Sequence, residues 1–144
     1  MKVSDILRSK GHEVATVAPT ATVTEALARL ADAGVGALVV SSTGETPEGI
    51  VSERDIVRHL ARSGPGVLDG PVSAIMTADV VTCSPDDTVG DLMARMTERR
   101  IRHLPVVADG RLDGIISIGD VVKVRVRELE EERHHLESYI THPR

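Results

Sequence analysis

The chain has 144 residues, a net charge of −5, one cysteine, one tyrosine and neither tryptophan nor phenylalanine. That length accommodates one domain, or two small units sharing a core, and the core must come from Val, Leu, Ile, Ala and Met. The acidic balance argues against a nucleic-acid surface, and the missing aromatics remove the stacking platforms on which single strands bind.

Val3 to Ser9 reads as a short helix, opened by Ser4 or Asp5 and stopped by Gly11. Val14 to Val17 is a short strand. Thr22 to Ala33 is a helix, capped by Thr22 or Thr24, with an apolar face of Ala26, Leu27 and Leu30 and Gly34 at its end. Ala37 to Ser41 is a continuous apolar run, the mark of a strand buried on both sides. A turn over Thr43 to Pro47 leads to a second buried strand, Gly49 to Ser52, and a helix from Glu53 to Ala61. Arg62 to Pro71, with three glycines and two prolines, reads as a short linker. The second half runs strand Val80 to Cys83, helix Val89 to Glu98, strand His103 to Val107, turn Asp109-Gly110, strand Asp113 to Ser117 and a helix from Ile118 to about Ile140.

The two halves are copies. Gly49-Ile50-Val51-Ser52-Glu53-Arg54-Asp55 returns as Gly114-Ile115-Ile116-Ser117-Ile118-Gly119-Asp120, and Val23 to Leu30 aligns with Val89 to Met96. Val35 to Val40 aligns with Ile101 to Val106, and even the lead-ins match, Val3-Ser4-Asp5-Ile6-Leu7 with Val72-Ser73-Ala74-Ile75-Met76. Two units are too few for a solenoid, so a closed pseudo-twofold pair is expected. The division is 1–62, a linker 63–71, 72–125, and a helical extension 126–144. In that extension Val122, Leu129 and Leu136 recur at sevens, with Val126 and Ile140 completing a thin apolar seam among charges. Such a helix seeks a partner or stands as a solvated extension.

In Gly-h-h-Ser-x-x-Asp the serine falls at the end of a buried strand and at the N-cap of a helix. Free N–H groups and partial positive charge there suit phosphate, and the aspartate in the first turn suits a pair of adjacent hydroxyls. The same spacing is also a plain capping box, Ser52 with Asp55 and Ser117 with Asp120. Both readings stay open on the residues alone.

The repeat ending in this heptapeptide resembles the cystathionine-β-synthase (CBS) domain, and the whole chain from about Val3 to Val124 resembles a tandem pair, or Bateman module, of the stand-alone prokaryotic type. The heptapeptides and Ile101-Arg102-His103-Leu104-Pro105-Val106-Val107 carry the likeness most specifically. The resemblance implies an α/β fold of two β-α-β-β-α repeats with pseudo-twofold symmetry plus a long C-terminal helix. It implies a non-catalytic regulatory module that binds AMP, ADP or ATP between the repeats, with NAD(H) or S-adenosylmethionine, or a ligand-free interaction module, as alternatives. Asp55 and Asp120 match the family's ribose-binding aspartates, Ser52 and Ser117 its hydroxyl-bearing residues, and Arg102 and His103 its phosphate-reaching cations. Arg54 stands beside Asp55 where Gly119 stands beside Asp120, so two unequal sites are expected, Asp120 being favoured if only one fills. The family's crossing rule sets Thr16, Val17 and Pro19 against the Asp120 site, and Val81, Cys83 and Pro85 against the Asp55 site.

Nothing in the sequence sets a nucleophile or carboxylate beside His103, so no enzyme is expected. His134 and His135 point apart on a helix, His12 and His59 read as surface residues, and no metal site is expected. Arg99 and Arg100 would add field without touching ligand. The lone Cys83 reads as a buried thiol and fits a reducing compartment. With no signal core and no run of roughly 18 apolar residues, a cytoplasmic, membrane-free protein is expected, a homodimer with a possible regulated protein partner and no nucleic acid.

Overall fold

A computed structural model describes residues 1–141. The fold is α/β, with elements in the order α1 (Val3–Lys10), β1 (Thr16–Val17), α2 (Val23–Ala33), β2 (Ala37–Val40), β3 (Gly49–Ser52), α3 (Glu53–Ser63), α4 (Val89–Arg99), β4 (His103–Ala108), β5 (Arg111–Ser117) and α5 (Ile118–Thr141). The last three residues of the expected extension lie outside the described residues.

Local chemistry places each helix. Thr22 caps α2 and Thr88 caps α4, each accepting the N–H of the acidic residue three positions on at 3.1 Å. Gly34 closes α2 in the left-handed region, at φ 66°, where glycine carries no Cβ penalty. In the second repeat Arg100 takes that place at φ 55°. Antiparallel pairing sets Ala37 opposite Ser52 in one hairpin and His103 opposite Ser117 in the other.

The lead-ins are exchanged between the halves. Val3, Ile6 and Leu7 of α1 pack with Leu92, Met96, Leu104, Ile116 and Val121 of the second repeat. Val72 and Ile75 pack with Val23, Leu30, Leu38, Val51 and Ile56 of the first. Backbone bonds repeat the exchange: Val3 N–H donates to Asp87 O (2.9 Å) and Val72 N–H to Ala21 O (2.8 Å). The glycines that open the heptapeptides lie under these lead-ins. A Cβ on Gly114 would stand 2.5 Å from Leu7 Cδ2, and one on Gly49 2.6 Å from Met76 Sδ and 3.0 Å from Thr77 O.

Three expectations are corrected. The strand over Val80 to Cys83 is absent; only a parallel bridge joins Cys83 to Val106. In the first repeat Val39 N–H donates to Ala15 O at 3.1 Å, which ties β1 to β2. Its counterpart is Pro105, which has no N–H, so Val81 receives no such bond and only Cys83 engages, donating to Pro105 O and accepting from Val107 N–H, both at 2.9 Å. Next, β3 is buried on one side only: Gly49 and Val51 are enclosed while Ile50 and Ser52 are half-buried. Finally, the linker is structured, because Pro65–Asp69 forms a 3₁₀ turn whose Val67 and Leu68 pack on the first core.

Candidate functional site

Each heptapeptide carries a strand straight into a helix, and the capping box is formed in both copies. Asp55 Oδ2 accepts the Ser52 N–H at 2.8 Å and the Ser52 hydroxyl at 3.0 Å, while Asp55 N–H donates to Ser52 Oγ at 3.2 Å. Asp120 Oδ2 accepts the Ser117 N–H at 2.9 Å, and Asp120 N–H donates to Ser117 Oγ at 3.2 Å. The cap holds each carboxylate through one oxygen and fixes its direction.

The surroundings of the two carboxylates then diverge. Asp55 faces a cleft of about 840 Å³ between the repeats, a size suited to a small organic ligand. Its first-repeat wall is Gly36, Ile50 and the start of α3 from Ser52 through Arg54 and Asp55 to Arg58; its second-repeat wall is Thr77, Asp79, Val80, Val81 and the segment Arg100 to His103, with Ile118. The carboxylate of Asp120 is instead engaged by Lys10, whose Nζ lies 2.7 Å from Oδ2 and 2.9 Å from Ile115 O. The pocket beside it holds about 100 Å³ and is walled by α1 and α5.

Charge concentrates in the larger cleft. Arg54, Arg58, Arg100 and Arg102 line it with His103, against Glu53, Asp55 and Asp79, so a chain of net charge −5 turns a locally positive surface to the seam. Among the described residues none of these four arginines forms an ion pair. Burial pushes the His103 imidazole below its ordinary value; Lys10 and Arg102 push the same way, against Asp120 and Glu53. Burial alone would raise Asp120, but the hydrogen bond and charge of Lys10, with the Ser117 bonds, bring its carboxyl below the usual range.

Of the residues singled out in the sequence, the cleft brings together Ser52, Arg54, Asp55, Val81, Arg102 and His103. Arg102 and His103 therefore stand across the seam from Asp55, beside the cation that was assigned to the other site. Ser117 and Asp120 lie outside this cleft with Lys10. Thr16 and Val17 sit in β1, pairing with Val39 and Val40, and Pro19 O accepts the Ser73 N–H at 3.0 Å. Cys83 is buried in the second core, where burial first and the Asp87 charge next push its thiol up to about 12. Pro85 O accepts the Ser4 N–H at 3.0 Å. The charge runs at Glu53-Arg54 and Arg99-Arg100 supply cleft walls through Glu53, Arg54 and Arg100. Arg58 and Asp79 were not singled out; Arg58 lies four residues past Arg54, on the same helix face, and that spacing is its signal.

Among the described residues, no helix is long and apolar enough to cross a membrane, and no cluster of His, Cys, Asp or Glu could hold a metal. The sequence model for the CBS domain matches residues 3–62 and again 72–127. The crystal structure of the CBS-domain containing protein ATU1752 from Agrobacterium tumefaciens is 45% identical, with a TM-score of 0.83 over 87% of this chain and 99% of that one. The CBS domain protein PAE2072 from Pyrobaculum aerophilum, complexed with AMP, is 32% identical, with a TM-score of 0.73 over 83% and 89% of the two chains. The CBS domain pair of protein MJ0100, in complex with 5′-methylthioadenosine and S-adenosyl-L-methionine, is 25% identical, with a TM-score of 0.78 over 89% and 98%.

Proposed function

Because the chain belongs to the CBS domain family, and carries that domain twice, we propose that it is a non-catalytic sensor binding a phosphorylated adenosine ligand, AMP, ADP or ATP, in the cleft at Asp55. The carrying observation is the meeting of one capped carboxylate with five basic side chains in a single cleft. The cap bonds of Asp55 all fall on Oδ2, which leaves Oδ1 for the ribose diol. Ile50, Val80 and Val81 offer an apolar wall for the base, and Arg54, Arg58, Arg100 and Arg102 offer charge-assisted bonds to phosphate. Structural relatives with AMP, 5′-methylthioadenosine or S-adenosylmethionine support an adenosyl ligand. The arginines favour a phosphate-bearing member of that set: NAD(H) satisfies them through its pyrophosphate, whereas the sulfonium of S-adenosylmethionine does not.

A ligand that bridges both repeats shifts their relative arrangement only as far as it prefers one arrangement. The output we assign to α5, which runs 24 residues, about 36 Å, and carries Asp120 in its first turn. Its seam, Val122, Val126, Leu129, Leu136 and Ile140, is 48–73% exposed, which supports a homodimer or a regulated protein as its cover. The single buried thiol supports a reducing compartment such as the cytoplasm.

Calorimetric titration of AMP tests the reading. Asp55→Ala should weaken binding at least tenfold, since a charged hydrogen-bond acceptor contributes about 1.5–3 kcal/mol. Thr88→Ala, which removes an equivalent cap outside the cleft, should cost about 1 kcal/mol of stability and leave AMP binding intact. If Asp55→Ala binds AMP as the parent does, the assignment is wrong.

A further inference from the structure

The two heptapeptides present the same acceptors, yet only one of them faces a large cleft. Lys10 accounts for the difference. Its ammonium takes two acceptors at once, the Asp120 carboxylate at 2.7 Å and the Ile115 carbonyl at 2.9 Å. Asp120 Oδ2 thus carries a cation in addition to the Ser117 N–H, and the pocket beside it holds only about 100 Å³, so the ammonium stands where a ligand's hydroxyl would approach. In the first repeat the carbonyl matching Ile115 belongs to Ile50, and it is satisfied by a backbone donor, Thr77 N–H at 2.8 Å. The lead-ins align with Leu7 on Met76, and each of those side chains lies over its heptapeptide glycine. Lys10 then corresponds to Asp79, which lines the open cleft. A cation thus stands at one aspartate where a carboxylate stands near the other. The pair is partly shielded, with side chains 33% and 23% exposed, and α1 is anchored by the buried Leu7 and Val3, so the ammonium is delivered by a fixed helix.

Resting on the reading of Asp55 given above, we infer that Lys10 acts as a built-in plug: it occupies the Asp120 carboxylate, and the chain takes one adenosyl ligand rather than two. Lys10 is then the residue that decides which of two duplicated sites is used. Replacing it with an uncharged side chain of similar length frees the Asp120 carboxylate and makes the second site available.

Titration calorimetry with AMP on the full chain reads this as a stoichiometry. The parent should bind one AMP per chain. Lys10→Met should bind two, with the new site abolished by adding Asp120→Ala and the original one abolished by adding Asp55→Ala. Lys10→Gln, which keeps a donor without the charge, provides a second variant should the methionine form fold poorly, and circular dichroism checks both. Two AMP per parent chain, the second lost in Asp120→Ala, would overturn the inference while leaving the Asp55 reading in place. So would one AMP per chain in folded Lys10→Met and Lys10→Gln. No heat from the parent and none from either variant would overturn the Asp55 reading and the inference with it.

Discussion

Arg100 offers a test in which stability and binding should move in opposite directions. It ends α4 at φ 55°, ψ 44°, and the matching residue of the first repeat, Gly34, ends α2 at φ 66°, ψ 35°. An L-residue in this left-handed region is disfavoured by about 1–2 kcal/mol, which glycine avoids. Glycine also loosens the unfolded chain, offsetting about 0.4–1 kcal/mol of that gain. Arg100→Gly should therefore stabilise the fold by about 0.5–1 kcal/mol, a rise of about 2–3 °C in Tm for a chain of this size. The same change removes one of the four arginines lining the cleft. A charge-assisted bond to phosphate is worth about 1.5–3 kcal/mol, and solvent screening at the exposed position discounts it to about 1–1.4 kcal/mol, so AMP affinity should fall about five- to tenfold. Differential scanning calorimetry and isothermal titration on one preparation read both quantities. A lowered Tm would refute the strain argument. A raised Tm with unchanged AMP affinity would remove Arg100 from the binding surface and leave its backbone conformation without a functional reason.

His103 gives a pH signature. Its folded-state pKa is depressed, so below about pH 6.5 the unfolded chain holds a proton that the folded chain refuses, and stability falls with acid until the folded value is reached; His103→Gln should flatten that limb in urea melts at stepped pH. A phosphate beside the ring raises its pKa, so AMP binding near pH 7 should take up protons, seen as a binding enthalpy that changes with the buffer's ionisation heat. Gly49→Ala and Gly114→Ala should each destabilise by about 1–3 kcal/mol through overpacking. The loss should be greater at Gly49, where the new methyl meets the Thr77 carbonyl as well as a side chain; equal losses in denaturant titration would contradict this. Leu129→Glu with Leu136→Glu should lower the sedimentation mass of any α5-mediated oligomer to that of the single chain, with AMP binding kept.

The repeat made the architecture legible, because a duplicated strand–helix pattern allows few closed arrangements. The two capping boxes were readable as well, since Ser-x-x-Asp is a local motif whose geometry does not depend on the rest of the chain. What local pattern could not supply was the crossing of the halves. Arg102 and Asp55 are 47 positions apart in sequence, and only the closed seam sets them in one cleft. Lys10 is further still from Asp120, and an isolated lysine before a glycine carries no sign of a distant carboxylate. The missing strand at Val80 to Cys83 has its signal in Pro105, whose absent N–H removes one of the bonds that fasten the matching strand of the first repeat. The apolar composition of that segment suits a strand, but composition does not count donors.

The exchange of lead-ins has a consequence for how the molecule comes into being. Val3, Ile6 and Leu7 have their hydrophobic seat among residues 83 to 124, so α1 is synthesised well before the residues that receive it. Until the later half of the chain emerges, α1 trails as an unsatisfied amphipathic strip, and the first repeat waits for Val72 and Ile75 to fill its own gap. Cutting at residues 63–71 would yield two fragments that each lack a wedge held by the other, so the halves should mature together or not at all.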